Sequence, residues 1–96
     1  MDEIIKISLD LTDCKYIRDF HERIRVALDF PEWYGANLDA LWDSITGLMY
    51  VPANIKIIFK PKTVAAQKLS DEIEKIIEVF KEAEEEYNQI KLTIEK

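Results

Sequence analysis

The apolar positions of this chain change their period several times, and each change marks an element. Glu3 to Leu9 reads EIIKISL, a short Ile-rich run closed by Asp10, Leu11, Thr12 and Asp13. It predicts a strand. From Lys15 to Leu28 the residues Ile17, Phe20, Ile24, Ala27 and Leu28 recur at helical spacing. Thr12 or Asp13 is placed to cap that helix. Asp29 to Ala36, punctuated by Pro31 and Gly35, reads as a loop. Asn37 can cap a second helix, on which Leu38, Leu41, Trp42 and Ile45 form one apolar stripe. Gly47 is placed to end it.

The second half repeats the alternation. NIKIIF, Asn54 to Phe59, is apolar almost throughout and suits a buried strand. Pro61 to Gln67 has room for a helical turn. Ser70, Asp71 and Glu72 open a long helix, with a capping serine and two acids in the first turn. Ile73, Ile76, Ile77, Phe80, Ala83 and Tyr87 give its core face. QIKLTI, Gln89 to Ile94, predicts a third strand. Strands separated by helices imply an α/β fold: a three-stranded parallel sheet with right-handed crossovers and about four helices. The 96 residues make one domain, with no repeat, linker or low-complexity tract.

Composition narrows the function. Hydrophobic residues are 48% of the chain, too many for disorder. The formal net charge of −6 argues against direct nucleic-acid binding, which needs clustered Lys and Arg. It suits a soluble protein with a basic partner. Cys14 is the one cysteine, which rules out an internal disulfide and fits a reducing cytoplasm. Cys14 reads as a half-buried packing residue. No apolar run reaches the ~20 residues of a membrane span, and MDEIIKISLDLTD is not a signal peptide.

One segment stands apart from the Ile, Lys and Glu of the rest. PEWYGANLDALWDSITG, Pro31 to Gly47, holds both tryptophans and both glycines. With the apolar stripe turned inward, Asp39, Ala40 and Asp43 face outward. Asp39 and Asp43 are one turn apart, and like charges at that spacing cost a few tenths of a kcal/mol. Asp39 suits the first turn of a helix, whereas Asp43 opposes the dipole near the other end. Such a departure is expected at a functional site, although two ordinary solvated aspartates would give the same pattern. Of Trp33 and Tyr34, one ring is placed to staple into the core. The other, exposed beside acids, is what a protein-binding hot spot presents.

The same segment resembles the centre of the barstar family, intracellular inhibitors of barnase-type ribonucleases. The run of Pro, Glu, aromatic, Tyr, Gly, any residue, Asn-Leu-Asp-Ala-Leu-Trp-Asp and then Thr-Gly carries the likeness. The element order and the VFKEAEEE stretch from Val79 extend it along the whole chain. The resemblance implies that the second helix and the loop before it plug the enzyme's active site. It implies that Asp43 occupies the phosphate site and pairs with the catalytic Arg and His groups. Asp39 would face the enzyme one turn earlier. Trp33 would stand as an aromatic plate where the family usually has tyrosine. Gly35 and Asn37 would let the backbone approach, and Thr46 and Gly47 would belong to the partner-binding surface. Glu82 would meet an enzyme arginine, helped by Glu86. The implied partner is a barnase-like extracellular ribonuclease, bound 1:1 by a cytoplasmic monomer without cofactor, metal, membrane or nucleic acid. Leu48, Met49 and Tyr50 depart from a family member that carries tryptophan at the first of these positions.

Other functions leave weaker traces. Asp39, Asp43 and Glu82 offer the oxygen ligands that Mg²⁺ takes, as in a metal-dependent hydrolase. His21, the one histidine, has no Ser or Cys nucleophile spaced with it and reads as a partly exposed surface residue. Asp43-Ser44-Ile45 is similar to the prosthetic-group site of acyl carrier proteins, but those are all-helical and carry the serine at a helix start. KEAEEE, Lys81 to Glu86, also suits the solvated side of a helix, as charge runs usually do. Tyr16 and Phe20 read as core, and Trp42 as a core ring.

Overall fold

The computed structural model describes residues 4–12, 14–48, 52–61, 63–87 and 90–95. Its elements are β1 (Ile5–Asp10), α1 (Ile17–Ala27), α2 (Leu38–Leu48), β2 (Ala53–Ile58), α3 (Val64–Gln67), α4 (Ser70–Glu86) and β3 (Ile90–Glu95). The strands form one parallel sheet in the order β1-β2-β3. Ile5 to Asp10 align with Ala53 to Ile58, and those with Ile90 to Glu95. The expected α/β architecture is present. The expected strand starts at Glu3 and Gln89 lie outside the described residues.

Alternation along the strands shows where the helices sit. Leu9, Ala53, Ile55, Ile57 and Ile90 are buried, while their neighbours Ser8, Asp10, Asn54, Lys56 and Lys91 are exposed. All helices therefore cover one face, and the other face is polar and open. A parallel sheet is usually covered on both faces. Here the other face carries Lys6, Ser8 and Asp10 of β1 and Asn54 and Lys56 of β2, which need no cover. On the covered face, Phe20, Ile24, Leu41, Ile45, Ile73, Ile76, Ile77 and Phe80 complete the core at 0–1% exposure. Phe20 and Phe59 meet edge to face, with ring centroids 6.0 Å apart.

The caps differ from those expected. Thr12 does not cap α1; its hydroxyl accepts from the Lys60 amide at 3.1 Å and ties the end of β1 to the chain after β2. Asp13 lies outside the described residues. Instead Asp19 reaches back, accepting from the amides of Lys15 at 3.2 Å and Tyr16 at 3.0 Å. α1 ends without glycine. Asp29 takes φ 57°, its amide donates to Val26 O and the Phe30 amide to Arg25 O. That is a Schellman pair of bonds, sealed by the buried Phe30. Ser70 is the first residue of α4 rather than its cap, which is Leu69 without a side-chain bond. α3 is the expected short turn, capped by the Thr63 hydroxyl on the Ala66 amide at 3.0 Å.

Several apolar residues read as core are exposed. Tyr16, Ile17 and Tyr87 are 60%, 43% and 42% exposed. Tyr16 caps the start of α1, Ile17 is its first residue, and Tyr87 caps the end of α4. Cys14 is fully buried rather than half-buried. No helix of the described residues is long and apolar enough to cross a membrane.

Asp19→Ala leaves two amides at the start of α1 without a partner. It is expected to cost about 1 kcal/mol in urea unfolding, as other lost caps do. Thr12→Ala is expected to leave the helical signal of α1 unchanged, because its hydroxyl bonds elsewhere.

Candidate protein-binding site

α2 starts where Asn37 places it. The Asn37 Oδ1 accepts from the Ala40 amide at 2.8 Å, and its Nδ2 donates to the Gly35 carbonyl at 3.2 Å. Asn37 is thus the expected cap, and both ends of its side chain are engaged within the chain. The left-handed residue of this loop is Ala36, at φ 52°. Neither glycine takes a positive φ. Gly35 is instead a close approach, since a Cβ there would stand 3.1 Å from the Ala40 Cβ and one of the two would have to give way by a few tenths of an ångström. Gly47 does not end α2, which continues to Leu48. Nothing lies within 4 Å of a Cβ at Gly47.

The apolar stripe of α2 turns inward as expected, with Leu41 and Ile45 buried and Leu38 and Trp42 packed partly against the core. Trp42 is therefore a half-buried ring at the margin of the core. This leaves Asp39 and Asp43 exposed on one side of the helix. α2 packs against α4, and an open hollow forms along their seam. Leu38, Trp42 and Val79 line its floor, and Asp39, Asp43 and Glu82 stand around it. Carboxylates about forty positions apart in sequence so reach one small surface. Glu86, one turn on from Glu82, is exposed but does not line the hollow.

The remaining candidates lie along the same helix and its entry loop. Trp33 is 75% exposed, whereas its neighbour Tyr34 is buried at 8%. The two rings divide as expected, one outward and one in the core. Thr46 is half-buried and donates its hydroxyl to the Trp42 carbonyl at 2.8 Å, so it is held against its own helix. Gly47 is exposed on the last turn.

The Barstar (barnase inhibitor) family model matches residues 5–95. The chain belongs to the barstar family. It is also 36% identical over 91 residues to the Bacillus subtilis (strain 168) protein named "Putative ribonuclease inhibitor YrdF". That alignment covers 94% of this chain and 98% of the relative.

Among the described residues no three His, Cys, Asp or Glu side chains converge to hold a metal ion, Asp39, Asp43 and Glu82 included. Ser44 is buried at 6%, on the inner side of α2, so it is not presented for a prosthetic group.

His21 also departs from its sequence expectation. His21 is buried at 3% rather than partly exposed. Its Nδ1 shares a hydrogen bond with the Tyr34 hydroxyl at 2.7 Å. Tyr34 also packs on Phe30, with ring centroids 5.6 Å apart. The pair ties α1 to the loop that presents Trp33. The available signal was position: His21 lies beside Phe20 and three before Ile24, on the margin of the α1 stripe.

Burial pushes the His21 imidazole below its ordinary value near 6.5, because the charged ring loses water. The unfolded chain then binds the proton more readily. His21 stabilises the fold fully above about pH 6.5, and that contribution is lost as pH falls toward the lowered folded value. Stability measured by urea unfolding is expected to decline from pH 6.5 to about pH 5, above the carboxylate range. His21→Gln, which keeps an acceptor for Tyr34, is expected to flatten that decline.

Proposed function

We propose that this chain inhibits a barnase-type ribonuclease by seating α2 and its entry loop in the enzyme's basic active-site cleft. The observation that supports it most is the hollow between α2 and α4, ringed by Asp39, Asp43 and Glu82 over an apolar floor. An enzyme that binds RNA must present cationic groups where phosphates sit. Carboxylates on a rigid helix meet those groups at fixed spacing. Asp43 takes the place of the substrate phosphate and pairs with the catalytic Arg and His groups. Asp39 faces the cleft one turn earlier, and Glu82 with Glu86 meets an arginine at its rim. Trp33 lies flat against the enzyme as an aromatic anchor, the residue class that dominates binding hot spots. Gly35, Asn37, Thr46 and Gly47 shape the ends of the contact.

The inhibitor needs no chemistry of its own, because occupation of the cleft is sufficient. One chain closes one active site. The lone buried Cys14 suits an inhibitor that works in the reducing cytoplasm. Complementary charge speeds encounter and fixes orientation; the barnase–barstar pair is itself the source of that generalisation. Preorganisation adds to it. The Asn37 cap and the His21–Tyr34 bond hold the loop before any partner arrives, so little ordering is left for binding.

Titration into a barnase-type ribonuclease is expected to give stoichiometric inhibition that weakens with salt. Asp43→Ala is expected to lose on the order of thirty-fold or more in affinity, the scale of a hot spot. Glu82→Ala should lose less. Both residues are exposed, so neither change should unfold the chain. Equal inhibition by Asp43→Ala and the unmodified chain would place the contact elsewhere.

A further inference from the structure

The open face of the sheet gathers charge of the opposite sign to the seam of α2 and α4. Its side chains stand in rows set by the strand register. Lys6, Asn54 and Lys91 form the first row, and Ser8, Lys56 and Thr93 the second. Asp10, Ile58 and Glu95 form the third. All six residues of the first two rows are exposed. The chain has 19 acidic residues against 13 Lys and Arg, yet no acid stands in those two rows. Three lysines do. Strand and residue spacings place Lys6 and Lys56 about 8 Å apart at Cα, and Lys6 and Lys91 about 10 Å apart.

Ser8 and Asn54 are short side chains between long ones, and a hollow opens over them. Lys6, Ser8, Asn54, Lys56 and Thr93 line it. Each of these side chains can donate a hydrogen bond, from an ammonium, a hydroxyl or an amide. Lys91 stands beside Asn54 in the same row. Among the described residues neither Lys6 nor Lys91 has a carboxylate partner. Lys56 meets Glu95 Oε2 at 3.1 Å, but Lys60 holds the other oxygen of Glu95 at 3.0 Å. Lys56 can therefore serve a ligand in the hollow without leaving Glu95 unpaired. Like charges brought together on a sheet are unfavourable until an opposite charge sits among them.

We propose that this hollow binds the phosphate group of a small ligand. Flexible four-carbon stems let the three ammonium groups close on one point above Ser8 and Asn54. A phosphate dianion there also accepts from the Ser8 and Thr93 hydroxyls and the Asn54 amide. The surroundings narrow the ligand. Sheets that bind single-stranded nucleic acid stack bases on aromatic rings, and none of the three rows holds one. Ile58 is the one apolar residue of the rows and is half-buried, so the face offers no anchor to a lipid surface. Asp10 and Glu95 close the face at the third row and repel a polyanion running along the strands. What fits is a single phosphate, free or at the end of a small molecule. The site lies on the opposite side of the sheet from the helices, and the inference does not rest on the nuclease reading.

Amide chemical-shift titration of the whole chain with inorganic phosphate tests it, with ionic strength held constant by chloride. Saturable changes are expected at Lys6, Ser8, Asn54, Lys56 and Thr93 at millimolar phosphate, with Asp39, Asp43 and Glu82 unmoved. Lys6→Gln and Lys56→Gln should each weaken binding about fivefold, the upper scale of an exposed ion pair. Both side chains are exposed, and the amide spectrum itself reports that each variant is folded. Lys75→Gln removes the same charge from α4, away from this face, and should bind as the unmodified chain does. A parallel titration with AMP separates the sources: changes at the same amides identify an esterified phosphate as a ligand, and response to inorganic phosphate alone identifies the free ion. Absent or linear changes with phosphate, or equal weakening by Lys75→Gln and Lys6→Gln, would overturn the inference. So would saturation by an Asp-rich peptide but not by phosphate, which would mark an acidic protein as the partner of this face.

Discussion

Parallel pairing of β1, β2 and β3 in sequence order is the constraint on which the rest depends. Each connection must cross over the sheet, and crossovers of one hand between successive neighbours fall on one side. The burial alternation of β1 and β2 shows that outcome directly. The helices crowd onto a single face, and α2 from the first crossover meets α4 from the second. Their meeting line is a seam at the surface of the helical layer. Asp39 and Asp43 on one side and Glu82 on the other flank it because the inward stripes of both helices are already committed to core.

The entry loop of α2 depends on a second, local device. A buried polar pair, His21 and Tyr34, joins α1 to the loop at 2.7 Å. Burial without a partner would cost each group, so the pair fixes both. With Tyr34 held inward, the next side chain back along the chain, Trp33, is directed to solvent. Ala36 takes a left-handed conformation, which costs a non-glycine residue of order 1 kcal/mol. The Asn37 cap and the tight Gly35–Ala40 approach hold it there. Local strain next to a presented aromatic is consistent with a loop shaped for a partner.

The periods of the chain made the elements, their order and the parallel sheet legible from sequence. Asp39 and Asp43 were legible too, because a one-turn spacing opposite an apolar stripe leaves no other direction. Glu82 was not, since any of several glutamates from Lys81 to Glu86 fits an exposed helix face; only the family resemblance singled it out. Caps were read poorly for a physical reason. Asp19 caps α1 by reaching back from inside the helix, and Asp29 closes it in a conformation usually given to glycine. Gly47 misled for the converse reason, being a glycine that the helix simply contains. His21 was hidden because its partner is thirteen residues away, and only the fold brings them together.

The central claim is that the seam of α2 and α4, with the loop before it, is the surface that meets the enzyme. It is tested most directly by amide chemical-shift mapping of the isotopically labelled chain as a barnase-type ribonuclease is added. The largest changes are expected at Trp33, Asp39, Asp43 and Glu82, with the open sheet face at Asn54, Lys56 and Thr93 unchanged. Saturating binding with the changes confined to that sheet face or to α1 would contradict the account.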